Sequence, residues 1–123
     1  MKPLFLIDSI TEITAAMKDS VIVSGSHGGV SSASYVVNAP HKPFAVFFND
    51  AGVGKDRAGI EALAILDELE IMAFAYGHDS ARIGQATDGL QNGIVTHVNH
   101  TAQGFSGAVG DSVQTLVTRL RSM

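Results

Sequence analysis

The sequence predicts an α/β domain. The expected form is a three-layer α/β/α arrangement around a mostly parallel sheet of about five strands, Rossmann-like or flavodoxin-like. Three observations predict it. Five short apolar runs, at 4–8, 21–25, 43–50, 71–77 and 94–99, recur along the 123 residues. Segments with helical spacing separate them, the alternation that builds βαβ units. The central run, "PFAVFFND", is apolar on both faces, as a buried parallel strand is. Right-handed crossovers are expected to place helices on both faces of the sheet. The length suits one domain over residues 1–123.

Taken in order, "LFLID" (4–8) reads as the first strand. Ser9 and Glu12 have the spacing of a capping box, so a helix is expected from Ile10, with Ile10, Ile13 and Met17 on one face. "VIVSG" (21–25) is the second strand. "VSSASYVVNAP" (30–40) reads as a short helix stopped by Asn38 and Pro40. After the central strand, "RAGIEALAILDELE" (57–70) is rich in helix formers, with Ile60, Leu63, Leu66 and Leu69 toward a core. "IMAFAYG" (71–77) is the fourth strand. "SARIGQATDGLQNG" (80–93) reads as a short helix or turn region with Ser80 as its cap. "IVTHVN" (94–99) is the fifth strand. The tail carries a helical stripe of Val109, Val113, Leu116, Val117 and Leu120. The small residues of "GFSGAVG" (104–110) are read as a packing surface.

Composition excludes several functions. Hydrophobic residues make up 46% and charged residues 16%, which describes an ordered chain with a core. So low a charge on a small surface predicts a homo-oligomer. A net charge of −4 without a basic stripe argues against nucleic acid as a partner. With no cysteine, disulfide scaffolds, zinc ribbons and thiol nucleophiles are excluded. No apolar run has membrane-spanning length, and Asp8 interrupts the N-terminal patch too early for a signal peptide. A cytoplasmic protein without a membrane partner is expected.

"FFNDAGVGKDRAGI" (47–60) resembles a phosphate-binding loop. Aligned on Gly54-Lys55, however, the first P-loop glycine falls on Asn49 and the Ser/Thr on Asp56. The dinucleotide pattern fails too, because Arg57 stands where its third glycine belongs. What remains is a strand end leading through Gly52 and Gly54 to an expected helix N-terminus, whose free amides attract an anion. Lys55 adds charge. The plainer reading is a tight turn with Asp56 as a helix cap.

The other strand ends carry similar chemistry: "GSHGG" (25–29), "GHDSAR" (77–82) and "HVNH" (97–100). If all the strands are parallel, these segments share the carboxyl edge, where open α/β sheets bind ligands. Four of the five histidines fall in or beside them. The catalytic candidates are His27, Asp50 and His78. The ligand-binding candidates are Gly28, Gly29, Asn49, Gly52, Gly54, Lys55, Ser80, Arg82 and Asn99. Arg82 opposes the dipole of the helix expected to begin at Ser80, which a bound carboxylate or phosphate explains, as does a salt bridge to Asp79 or Asp50. His27, Asp50, His78 and Asp79 are metal-ligand types without a recognised metal spacing, so no metal is assigned. His97, inside a strand, is read as packing. The cofactor stays unknown.

These residues point to a small cytoplasmic enzyme that acts on an anionic small molecule, a carboxylate or phosphate, by acid–base or nucleophilic chemistry. The alternatives are a non-catalytic anion-binding regulatory subunit and a structural oligomer subunit.

Overall fold

The computed structural model describes residues 1–104 and 108–123. Residues 105–107, the middle of the glycine-rich packing segment, lie outside the described residues. Five strands form one sheet in the order β1-β2-β3-β4-β5. They are β1 (Leu4–Ile7), β2 (Val21–His27), β3 (Ala45–Asn49), β4 (Met72–Tyr76) and β5 (Val95–Val98). The α-helices are α1 (Val30–Val37), α2 (Glu61–Asp67), α3 (Ala86–Asn92) and α4 (Val113–Arg121). The fold is therefore α/β with a mixed, mostly parallel sheet. β1 to β4 are parallel, and β5 pairs with β4 antiparallel.

The strand order explains which face each helix covers. Neighbouring parallel strands taken in sequence, with crossovers of one hand, put every crossover on the same face. Ile22, Val46, Phe48, Ala73 and Ala75 point to that face, because side chains alternate along a strand. Ile10 and Met17 from the first connection, Ala33 and Val36 of α1, and Leu63 and Leu66 of α2 pack onto it. The opposite face presents Val21, Val23, Ala45, Phe47, Phe74 and Tyr76, with the Phe47 and Phe74 rings stacked at 4.5 Å. It is covered by Val113, Leu116, Val117 and Leu120 of α4, which follows β5. α3 packs against β2 and α4. Gly89 lets α3 lie on the Tyr76 ring, since a Cβ there would come within 2.8 Å of Tyr76 Cζ. Helices thus reach both faces, but the three parallel crossovers share one. The doubly wound folds reverse their strand order at the ligand crevice. Here the order runs straight.

Several elements differ from the sequence reading. The capping box of Ser9 and Glu12 forms, yet it starts a single 3₁₀ turn, Ile10–Glu12, followed by a second, Ala15–Met17. α2 begins at Glu61, not at 57, because Asp56 and Arg57 adopt left-handed conformations (φ 55° and 60°) that no right-handed helix contains. It ends early as well, and Leu69 is exposed. Residues 80–85 are not helical, and Ser80 caps no helix: its hydroxyl donates to Gly77 O and accepts from Ile94 N. Val109 lies outside α4 and is exposed.

The antiparallel β5 is the most consequential difference, because it carries residues 97–100 away from the carboxyl edge of the parallel strands. Asn99 is buried at the opposite edge. Its Oδ1 accepts from Ala73 N and Ala102 N, and its Nδ2 donates to Leu63 O and Ile71 O. These bonds fix the turn into β4 and the exit from β5. Asn99→Ala would leave buried backbone groups unpaired, so it is expected to cost about 3 kcal/mol or more. Urea unfolding of the variant measures this, and a loss under about 1 kcal/mol would contradict it.

Candidate functional site

The loop after β3 answers the question raised by its glycines. Ala51, Gly52, Val53 and Gly54 all have positive φ, from 52° to 75°. For β-branched Val53 this is a strained conformation. Their amides are spent within the protein. Ala51 N donates to Asn49 Oδ1, Gly52 N to Asp50 Oδ1, Val53 N to Asp50 O and Gly54 N to Gly52 O. Lys55–Ile60 form a 3₁₀ segment broken by left-handed Asp56 and Arg57, so no regular helix N-terminus stands at 54–57. Where α2 does begin, Ala62 N donates to Gly28 O. The anion around which this loop curls is the carboxylate of Asp50.

Asp50 is 4% exposed. Its Oδ1 accepts from Gly52 N at 2.9 Å and His78 N at 3.0 Å, and lies 3.3 Å from His78 Nδ1. Its Oδ2 accepts from the Thr96 hydroxyl at 2.9 Å. One side chain thus joins the ends of β3 and β4 to β5. Burial opposes its ionisation, but the bonds from Gly52 N, His78 N, Thr96 and the His78 ring outweigh that and hold the carboxyl below its ordinary 3.8.

Thr96 reaches Asp50 because of an irregularity in β5. Tyr76 pairs with Val95 and Ala75 with His97, so Thr96 is an extra residue in the ladder. The Thr96 oxygen also lies 2.9 Å from His97 Nδ1. His97 was expected to pack inside a strand. It lines instead a groove of about 730 Å³ between α2 and β5. Thr96 and Arg57 also line it, and at its far end so do Asp67 and His100.

The remaining candidates are distributed as follows. Asn49 is wholly buried, and its Nδ2 donates to Ala81 O, so it holds the β4–α3 connection across the strand ends. That connection continues through Gly84 N to Gly25 O and Ala86 N to Asp8 Oδ1. A Cβ on Gly25 would meet backbone atoms of Asp8, Gly84 and Gln85 at 2.6 Å. The chain therefore fills the crevice over β1 and β2 itself. Gly28 N donates to Asn49 O and Gly59 O, and Gly29 N donates to His27 Nδ1. His27 and His78 are exposed, and the His78 ring lies over Gly52. Lys55 is exposed. Arg82 is exposed too, its amide bonded to Asp88, whose carboxyl is lowered by that bond and by Asn92. Asp50 and His78 are brought together, but neither they nor Lys55 and Arg82 line the α2–β5 groove, whereas Asn99, at the other edge, does. Asp8 and Thr96 are the residues that sequence reasoning missed; His97 was set aside as packing, and Arg57 was read only as added charge beside Lys55. No His/Asp/Glu group among the described residues has the geometry of a metal site.

The chain matches no family model, no curated protein and no solved structure.

The depressed Asp50 carboxyl gives a pH dependence with a definite sign. Its folded value lies below the unfolded one, so its stabilisation is present above about pH 4 and is lost as pH falls through the folded value. Asp50→Asn is expected to cost about 2 kcal/mol at neutral pH, from hydrogen bonds to a charged acceptor. It should also flatten the acid limb of the stability curve, compared by urea melts between pH 6 and pH 2. Parallel acid limbs in the two proteins would show that Asp50 is not the group responsible.

Proposed function

We propose that the chain is a small cytoplasmic α/β enzyme that acts on an anionic small molecule by acid–base chemistry near the carboxyl edge of its sheet. Its frame in this reading is a three-layer α/β/α arrangement. The supporting observation is the groove between α2 and β5, which opens where the buried, ionised Asp50 is bonded through Thr96 to a histidine in the wall. Concave, mostly apolar spaces with a few convergent polar groups are the usual form of small-molecule sites.

Arg57 is the guanidinium in the groove wall and would hold a carboxylate or phosphate, with Lys55 two residues before it. Asp56 and Glu61 line the same groove. The substrate is therefore expected to carry a hydroxyl or ammonium donor beside its anionic group. Arg82 lies outside that groove, and it is its backbone amide that bonds to Asp88. No described helix is long and apolar enough to cross a membrane.

A thermal-shift screen of carboxylate and phosphate metabolites, with and without divalent metal, tests the proposal. At least one compound is expected to raise the melting temperature. Arg57→Gln should weaken that ligand by about 1–3 kcal/mol, the range for a charge-assisted bond, with little loss of stability. A screen without any stabilising compound, or full affinity in the variant, would sink it.

The chain is also proposed to self-associate, on the strength of its low charge and the exposed Val30, Tyr35 and Val37 of α1. Sedimentation at micromolar concentration should show a species larger than the monomer; monomer alone would refute this.

A further inference from the structure

We infer that Thr96 is a positioning residue that carries the hydrogen-bond direction set by Asp50 to His97, so that neutral His97 keeps its proton on Nδ1 and offers Nε2 as the proton acceptor in the α2–β5 groove. That His97 serves as the base of a reaction rests on the function proposed above. The protonation pattern does not.

The inference follows from counting protons along the chain of contacts. Asp50 carries two acceptor oxygens and no proton. Its Oδ2 and the Thr96 oxygen are 2.9 Å apart, so a proton must lie between them, and only the Thr96 hydroxyl can supply it. Ala75 O, at 3.4 Å, is the poorer acceptor for the same proton. With its one proton committed, Thr96 can only accept from a neighbour. His97 Nδ1, 2.9 Å away, must therefore be the donor. A neutral imidazole with Nδ1–H leaves its lone pair on Nε2. A carboxylate that fixes the tautomer and orientation of a histidine is the logic of hydrolase triads. Here a hydroxyl stands between the two groups.

The groups that share the groove with His97 are Asp56, Arg57, Glu61, Asp67 and His100. Asp67 is spent on His100 N, Thr101 N and the Thr101 hydroxyl. In catalysis, a substrate C–H, O–H or N–H proton would pass to His97 Nε2. The bonding pair would stay on the substrate and the imidazole would become the cation. Return of that proton to another substrate atom, or to water, restores the neutral ring, so the step needs no co-reactant.

Nitrogen NMR of histidine-labelled full-length protein at a pH where His97 is neutral reads the tautomer directly, without a substrate. The wild type is expected to show His97 protonated on Nδ1. Thr96→Ser, which keeps the hydroxyl, should keep that pattern, and Thr96→Val should move the proton to Nε2, the form a free imidazole prefers. Asp50→Asn tests the other end. An amide that donates to Thr96 turns the hydroxyl toward His97 and should also move the proton to Nε2. A wild-type His97 protonated on Nε2 overturns the inference whether or not Thr96→Val folds. An unchanged Nδ1–H pattern in folded Thr96→Val overturns it as well. Once a substrate is in hand, His97→Gln is expected to abolish turnover while binding persists. Full turnover in that variant, beside the expected tautomers, would remove the base assignment and leave the proton count standing.

Discussion

Asp50 holds a charge out of water at the point where β3, β4 and β5 come together. A buried carboxylate is tolerated only where donors replace the water it has lost. The donors here come from three places: the loop after β3, the loop after β4, and the extra residue of β5. Each must be correctly placed for the others to be satisfied. This requirement ties the left-handed turn at 51–54, the position of His78 and the irregularity of β5 into one unit. No buried side-chain nitrogen or oxygen among the described residues lacks a partner. The cluster is thus closed on its protein side and has a histidine at its outer end.

The straight strand order has a consequence for where a ligand can go. With all three parallel crossovers on one face, the crevice of a reversed strand order does not arise. The β4–α3 connection, pinned by Asn49, Gly25 and Asp8, occupies the strand ends where a doubly wound protein would bind its ligand. Open space appears instead beside α2, because β5 is an edge strand that α2 does not cover. The backbone strain at Val53, Asp56 and Arg57 belongs to the same local solution. The left-handed turn closes around Asp50, and the left-handed pair delays α2 until Glu61. Arg57, left outside the helix, lies in the groove wall.

Much of this was legible in the chain. Alternating apolar runs and helical stripes determined the existence of all five strands and of the helices around 30–37, 61–67 and 113–121, because burial periodicity is a local property. The doubly apolar β3 was correctly central. Asp50 and His78 stood out as titratable residues at strand ends, and they do meet. Other features were not legible, for identifiable reasons. Strand direction depends on whether a connection crosses the sheet or returns along it, and "SARIGQATDGLQNG" has no local signature that decides this. Asn99 was therefore placed at the carboxyl edge, whereas it pairs four backbone groups at the far edge. Asp56 and Arg57 are left-handed against ordinary propensity, so the helix read from 57 began too early.

By itself, then, the sequence determined the α/β class, the strand positions and a concentration of titratable side chains at their ends, since all of these follow from local pattern. Only the tertiary structure decided which of those side chains share a site. Thr96 and His97 sit in a strand whose alternation would set them apart, and one extra residue against Tyr76 brings the hydroxyl to Asp50. A ladder irregularity is a relation between two strands, and it leaves no trace in the residues of either one.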